Sequence, residues 1–187
     1  MRLLPLLLTL AISWHAKATP LFPKDKIANA DIQQLQTMMA SGELTAESLT
    51  QYYLERIAKL NPELNAVIAV NPEALALAKH LDGERAKGKL RGPLHGIPIA
   101  VKDNIETEDM ATTAGSLALA NNQTGRDAPV VTRLKQAGAI IIAKANLSEW
   151  ANMRSERSSS GWSAVGGQTR NPHDLNRSAC GSSSGSA

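Results

Sequence analysis

Cysteine is nearly missing from this chain: Cys180 is the only one in 187 residues. A single thiol excludes an internal disulfide and any cysteine cage for a metal. Aromatic residues are scarce at 3%, so a core has to be assembled from Leu, Ile, Val, Ala and Met. Charge of one sign is nowhere concentrated. The 20 Lys and Arg residues against 17 Asp and Glu leave a net charge of +3, and no basic block of the kind a nucleic-acid surface displays is present. Long apolar runs are lacking too. "LLPLLLTLAISW" at 3–14 is too short to span a bilayer comfortably. His15, His80, His95 and His173 are scattered without ligand spacing, so no metal is expected. There is no GxGxxG, GxxxxGK[ST], HExxH or GxSxG, and no organic cofactor is implied.

What is present begins with an address. Met1-Arg2 is a short basic start, the apolar run follows, and Ala16-Lys17-Ala18 supplies the small residues a signal peptidase requires. Residues 1–18 therefore read as a secretory signal, with a mature start at Thr19. No cysteine follows the run, so no lipid anchor is indicated. The mature chain is expected to be periplasmic or secreted and not stably inserted in a membrane. With 43% hydrophobic residues, 19–187 can form one domain with a core.

Helical periodicity starts at Asp31, where Ile32, Leu35 and Met39 share a face and Gly42 stops the helix. "TAESLTQYYLERIAKL" repeats the pattern with Leu49, Tyr53, Ile57 and Leu60, predicting a leading helical hairpin. A short β-rich run covers 65–70. Asn71 as cap, Pro72 at the first helical position and Glu73 in the first turn then open another helix. "IPIAV" (97–101) and "AIIIA" (139–143) read as strands. Between them stands a helix over "APVVTRLKQAG", stopped at Gly138. That is the rhythm of an α/β layer fold. Residues 153–187 are rich in Ser, Gly, Asn and Arg and lose regularity, which marks a functional loop or disorder.

Two places could carry chemistry. Lys102 ends the "IPIAV" strand. It is either a solvated lysine or a general base, and a base must be brought from the ordinary lysine range near about 10.4 toward neutrality by its surroundings. "CGSSSGSA" at 180–187 is either a Gly/Ser linker or a tight turn that aims hydroxyls into a site.

"GPLHGIPIAVKDN", "TTAGSLAL", "VVTRLKQAGAIIIAKANLSEWA", "GGQTRNP" and "CGSSSGSA" occur in an order and at spacings that resemble the amidase signature family. The blocks run from about Asp31 to the last residue, and they look most similar to the bacterial peptide-amidase branch. The resemblance implies a mixed central β-sheet covered by helices. It implies hydrolysis of a carboxamide, small or peptidic, through a Ser–cis-Ser–Lys triad. Lys102 carries over as the base and Ser182 as the bridging serine, with the Gly181–Ser182 bond cis in the complete enzyme and expected to relax to trans in these residues alone. Ser158 and Ser183 are expected to touch substrate, and the stretch 153–163 to lie by the acyl side of the pocket.

Two departures accompany the match. Cys180 and Ser184 stand where the family usually carries glycine, and Ser184 would be strained if its φ were positive. Cys180 then reads as a small turn residue. The acylated serine and its oxyanion donors belong to a later block that these residues do not include, so 19–187 reads as the N-terminal part of one amidase signature domain and is expected to be inactive alone. The rival readings are a non-catalytic secreted binding module and an amidase of the glutaminyl-tRNA amidotransferase type, which the signal peptide disfavours.

Overall fold

A computed structural model describes residues 24–153 and 155–186 of the chain. The signal-peptide reading of 1–18 lies outside the described residues. Helix α1 (Lys24–Ala28) is followed by α2 (Ile32–Ser41), which Asp31 starts with a reciprocal cap: its carboxylate accepts from the Gln34 amide at 2.8 Å, and the Gln34 side chain accepts from the Asp31 amide at 2.9 Å. Gly42 ends α2 in the left-handed conformation at φ +78°. The expected face is two-thirds right: Leu35 and Met39 are buried, whereas Ile32 at the first turn is exposed.

Helix α3 (Ala46–Leu64) starts on the Thr45 cap. Its buried side is Ala46, Leu49, Thr50 and Tyr52, while Leu60 of the expected face is exposed. Strand β1 (Val67–Val70) follows, then α4 (Ala74–Ala86). Helix α4 begins later than its sequence suggests. The Asn71 side chain caps the Glu73 amide at 2.9 Å, while its own NH2 donates to the Ile141 carbonyl. Asn71 thus serves strand as well as helix.

Strand β2 (Pro98–Lys102), helix α5 (Pro129–Gln136) and strand β3 (Ile140–Ala145) form the βαβ unit. The sheet order is β1-β3-β2, with β2 parallel and β1 antiparallel to β3, so the sheet is mixed. All six residues of β3 are buried because both its edges are paired and both its faces covered. Ile140 and Ile142 pack with Ala74, Ala78 and Leu81 of α4, and Ile141 packs with Val131 of α5 on the other face. Gly138 feeds β3 at φ +90°, and a Cβ there would meet the His95 Cα at 2.6 Å. His95 is a core histidine, with Nε2 2.9 Å from the Leu81 carbonyl oxygen.

Past β3 the chain is not structureless. Strand β4 (Trp162–Ser163) pairs with β5 (Gly167–Gln168), and β6 (Arg170–Asn171) with β7 (Asp174–Ser178). No described helix is long and apolar enough to cross a membrane.

Candidate active site

Strands β2 and β3 run parallel and end side by side, because Lys102 is paired with Ala145. Whatever follows their C-terminal ends is therefore brought together, the usual location for a site in an α/β sheet. After β3 the chain turns through Asn146, Leu147 and Ser148, all essentially buried. These residues hold the serine turn by its backbone. The Asn146 carbonyl accepts from the Gly185 amide at 3.0 Å, and the Ser148 amide donates to the Ser182 carbonyl at 3.1 Å. The Ser184 hydroxyl, buried, donates to the Thr169 hydroxyl oxygen at 3.2 Å.

Against this turn lies the half-buried Lys102. Its ammonium donates to the Ser182 and Ser183 hydroxyls, each at 3.1 Å. "CGSSSGSA" is thus a packed turn and not a linker. Two details define the backbone of the turn. Among the described residues no peptide bond is cis, and Gly181–Ser182 is trans. A cis bond before a residue other than proline costs about 3–4 kcal/mol and persists only where packing enforces it. The left-handed positions fall on Cys180, exposed at φ +55°, and on Gly181 at φ +80°, and not on Ser184.

Ser158 lines a cleft of about 440 Å³ with Glu149, Trp150, Ser155, Arg157 and Trp162. Among the described residues Ser158 makes no hydrogen bond to Lys102, Ser182 or Ser183. The cleft and the serine turn are joined through Ser148, whose hydroxyl accepts from the Gly161 amide at 2.8 Å while its amide holds Ser182. The cleft wall is strained. Trp150, Ala151 and Asn152 have φ of +48°, +54° and +67°. Left-handed conformations cost non-glycine residues roughly 1–2 kcal/mol each, and they normally occur singly. The Trp150 amide is pinned on the Ala114 carbonyl at 3.1 Å.

Sequence patterns miss the support of this site. Asn146 is its hub: its NH2 reaches the carbonyls of Asn65, Gly166 and Gly167, and its Oδ1 accepts from the Leu147 amide and the Ser163 hydroxyl. Lys144 and Asp103 form a fully buried ion pair at 3.4 Å. The available signal for Lys144 is a charge inside the apolar run of β3. Among the described residues no group of three His, Cys, Asp or Glu is placed to hold a metal ion.

The family model described as Amidase matches residues 48–187. The chain is 55% identical to native peptide amidase from Stenotrophomonas maltophilia, with a TM-score of 0.84 over 88% of this chain and 34% of that one. It is 40% identical to an amidase family protein from Bacillus anthracis, with a TM-score of 0.83 over 87% of this chain and 33% of that one. One component of the glutamyl-tRNA(Gln) amidotransferase from Methylobacillus flagellatus is 44% identical over 160 residues, 85% of this chain and 31% of the relative. The chain thus spans about a third of the length of the proteins it matches.

Proposed function

This chain belongs to the amidase family, and we propose that the protein it comes from hydrolyses a carboxamide, a peptide C-terminal amide in the first instance, to a carboxylate and ammonia. The observation that carries the reading is the 3.1 Å hydrogen bond from the Lys102 ammonium to the Ser182 hydroxyl at the end of β2. A lysine and a serine in hydrogen-bond contact form a proton relay once the amine is neutral. Neutral Lys102 takes the Ser182 proton, and Ser182 takes the proton of the nucleophilic serine that the family resemblance assigns to a later block. The serine oxygen bonds to the amide carbon, the C–N bond breaks, and the proton returns to the departing ammonia. Water then cleaves the acyl ester by the same relay. Ser183 shares the Lys102 ammonium and, with Ser158 in the cleft, is assigned to substrate contact.

Peptide amides are preferred on the identity to a peptide amidase, 55% against 44% for the amidotransferase component. Export through residues 1–18 belongs to the same reading, and the secreted protein is expected to begin at Thr19. The test is ammonia release by the whole purified protein from a peptide amide and from the same peptide as a free acid. Release from the amide alone, lost in Ser182→Ala, is the expected result. Turnover that survives Ser182→Ala overturns the assignment.

A further inference from the structure

Strand β3 is apolar except for Lys144, which has no exposed surface. A buried ammonium needs partners on every proton. Lys144 donates to the Ile105 carbonyl at 2.8 Å, the Thr112 hydroxyl at 2.8 Å and the Ala111 carbonyl at 3.3 Å. All three acceptors lie on the stretch of chain that leaves β2 just after Lys102. Asp103, also fully buried, sits 3.4 Å away. Its Oδ2 accepts from the Thr113 amide at 3.2 Å and from the Thr113 hydroxyl. Its Oδ1 accepts no hydrogen bond, so the Lys144 charge is what balances that oxygen.

The pair lies behind the site. Val101 is level with Lys144 and Lys102 with Ala145, so side-chain alternation puts the two lysines on opposite faces of the sheet. Asp103 is the residue that joins the two sides: its amide donates to the Ala145 carbonyl at 3.0 Å, and its carbonyl accepts from Ala114 at 3.0 Å.

We propose, on the basis of the amidase reading, that Lys144 is a positioning residue for Lys102: it ties down the return at 103–113 and neutralises Asp103, so that the strand end presenting Lys102 to Ser182 and Ser183 is followed by a closed ion pair and not by a bare carboxylate. The other charges around the pair are already engaged. Glu106, on the same return, is held by Arg126 at 2.8 Å. Lys135 of α5 is held by Asp109 at 2.8 Å and Asp127 at 2.9 Å. From the serine turn only hydroxyls face Lys102, and among the described residues no carboxylate pairs with it. Burial pulls the Lys144 amine below the ordinary lysine range, with Asp103 and then Glu106 opposing that shift. The ion pair therefore matters to the charge state of Lys144 itself.

An uncompensated carboxylate on the residue that follows Lys102 in the chain favours the protonated, inactive amine, even from the other face of the sheet. In the whole protein, Lys144→Met should move the acid limb of the kcat profile up by roughly one pH unit, with KM little changed. Asp103→Asn should move the same limb down, and Lys144→Met with Asp103→Asn together should bring it back toward the parent. A merely structural role lowers kcat or thermal stability without moving the limb, and an unmoved limb overturns the proposal. If Lys144→Met does not fold, Asp103→Asn and the neutral double variant decide. NMR titration of the labelled Lys102 amine reads the same displacement without turnover. Absence of amide hydrolysis with an intact displacement would therefore fault the amidase reading and leave this coupling standing.

Discussion

Gly185 lies directly on the backbone of Asn146. Its amide donates to the Asn146 carbonyl at 3.0 Å, and a Cβ on Gly185 would stand 2.6 Å from the Asn146 nitrogen and still closer to the Ala66 carbonyl oxygen. Side-chain freedom cannot relieve that contact, because the obstructing atoms are backbone. Gly185→Ala should push the serine turn off β3 and separate Ser182 from Lys102. The expected outcome is a lower melting temperature together with loss of amide hydrolysis in the whole protein. A Gly185→Ala variant with parental activity would show that the turn is not clamped as described.

Ser182 and Ser183 both accept from Lys102 at 3.1 Å, so geometry alone treats them alike. The proposed relay does not. Ser182→Ala and Lys102→Ala should each lower kcat by roughly a thousandfold or more with little change in melting temperature, whereas Ser183→Ala should act mainly on KM. Steady-state kinetics on one peptide amide separates the two. Reversed effects would make Ser183 the relay serine.

Asn146 engages five partners through its buried side-chain amide. Asn146→Ala strands the buried Leu147 amide and removes the acceptor of the buried Ser163 hydroxyl, and it takes a donor from three part-buried carbonyls. The expected loss is about 3 kcal/mol of unfolding free energy by denaturant titration, at the upper end for a stranded buried polar group. A loss under about 1 kcal/mol would mean that the neighbours find other partners.

The Glu84 carboxyl is held down to about 2, chiefly by its hydrogen bonds from the Arg91 guanidinium, with His80 adding a smaller pull. Both Arg91 bonds measure 2.7 Å. A carboxylate depressed in the folded state contributes stability that is present above its ordinary value of 4.5 and lost as pH falls through about 2. An NMR titration should place its midpoint at about 2, and Arg91→Ala should move that midpoint back toward 4.5. An unmoved midpoint would assign the depression to another group.

Local signals made much of this architecture legible. Asp31 and Gly42 bracket α2, Thr45 starts α3, Gly138 separates α5 from β3, and the two apolar runs are the two parallel strands. Lys102 and Ser182 were legible as candidates because several blocks stand in register. What stayed hidden depends on chain segments far apart. Asn71 looks like a helix cap but also serves Ile141 of β3, and α4 starts only at Ala74. No periodicity announces the left-handed run Trp150–Asn152, because its backbone is set by contacts such as Trp150 with Ala114. The clasp of Gly185 on Asn146 joins a turn to a strand end, and Lys144 in an apolar run declares its partners only when the chain at 103–113 returns over it.

The Lys102–Ser182 contact closes a loop of 80 residues. Closing it before the intervening βαβ unit has condensed would cost chain entropy without a compensating core. The order of assembly follows: the sheet and its helices first, the serine turn afterwards. Substitutions in β3 should slow refolding, whereas those at Ser184 or Gly185 should chiefly accelerate unfolding. The same order means that the relay is the first feature lost when the fold loosens, so activity should fade under mild denaturant before the sheet does.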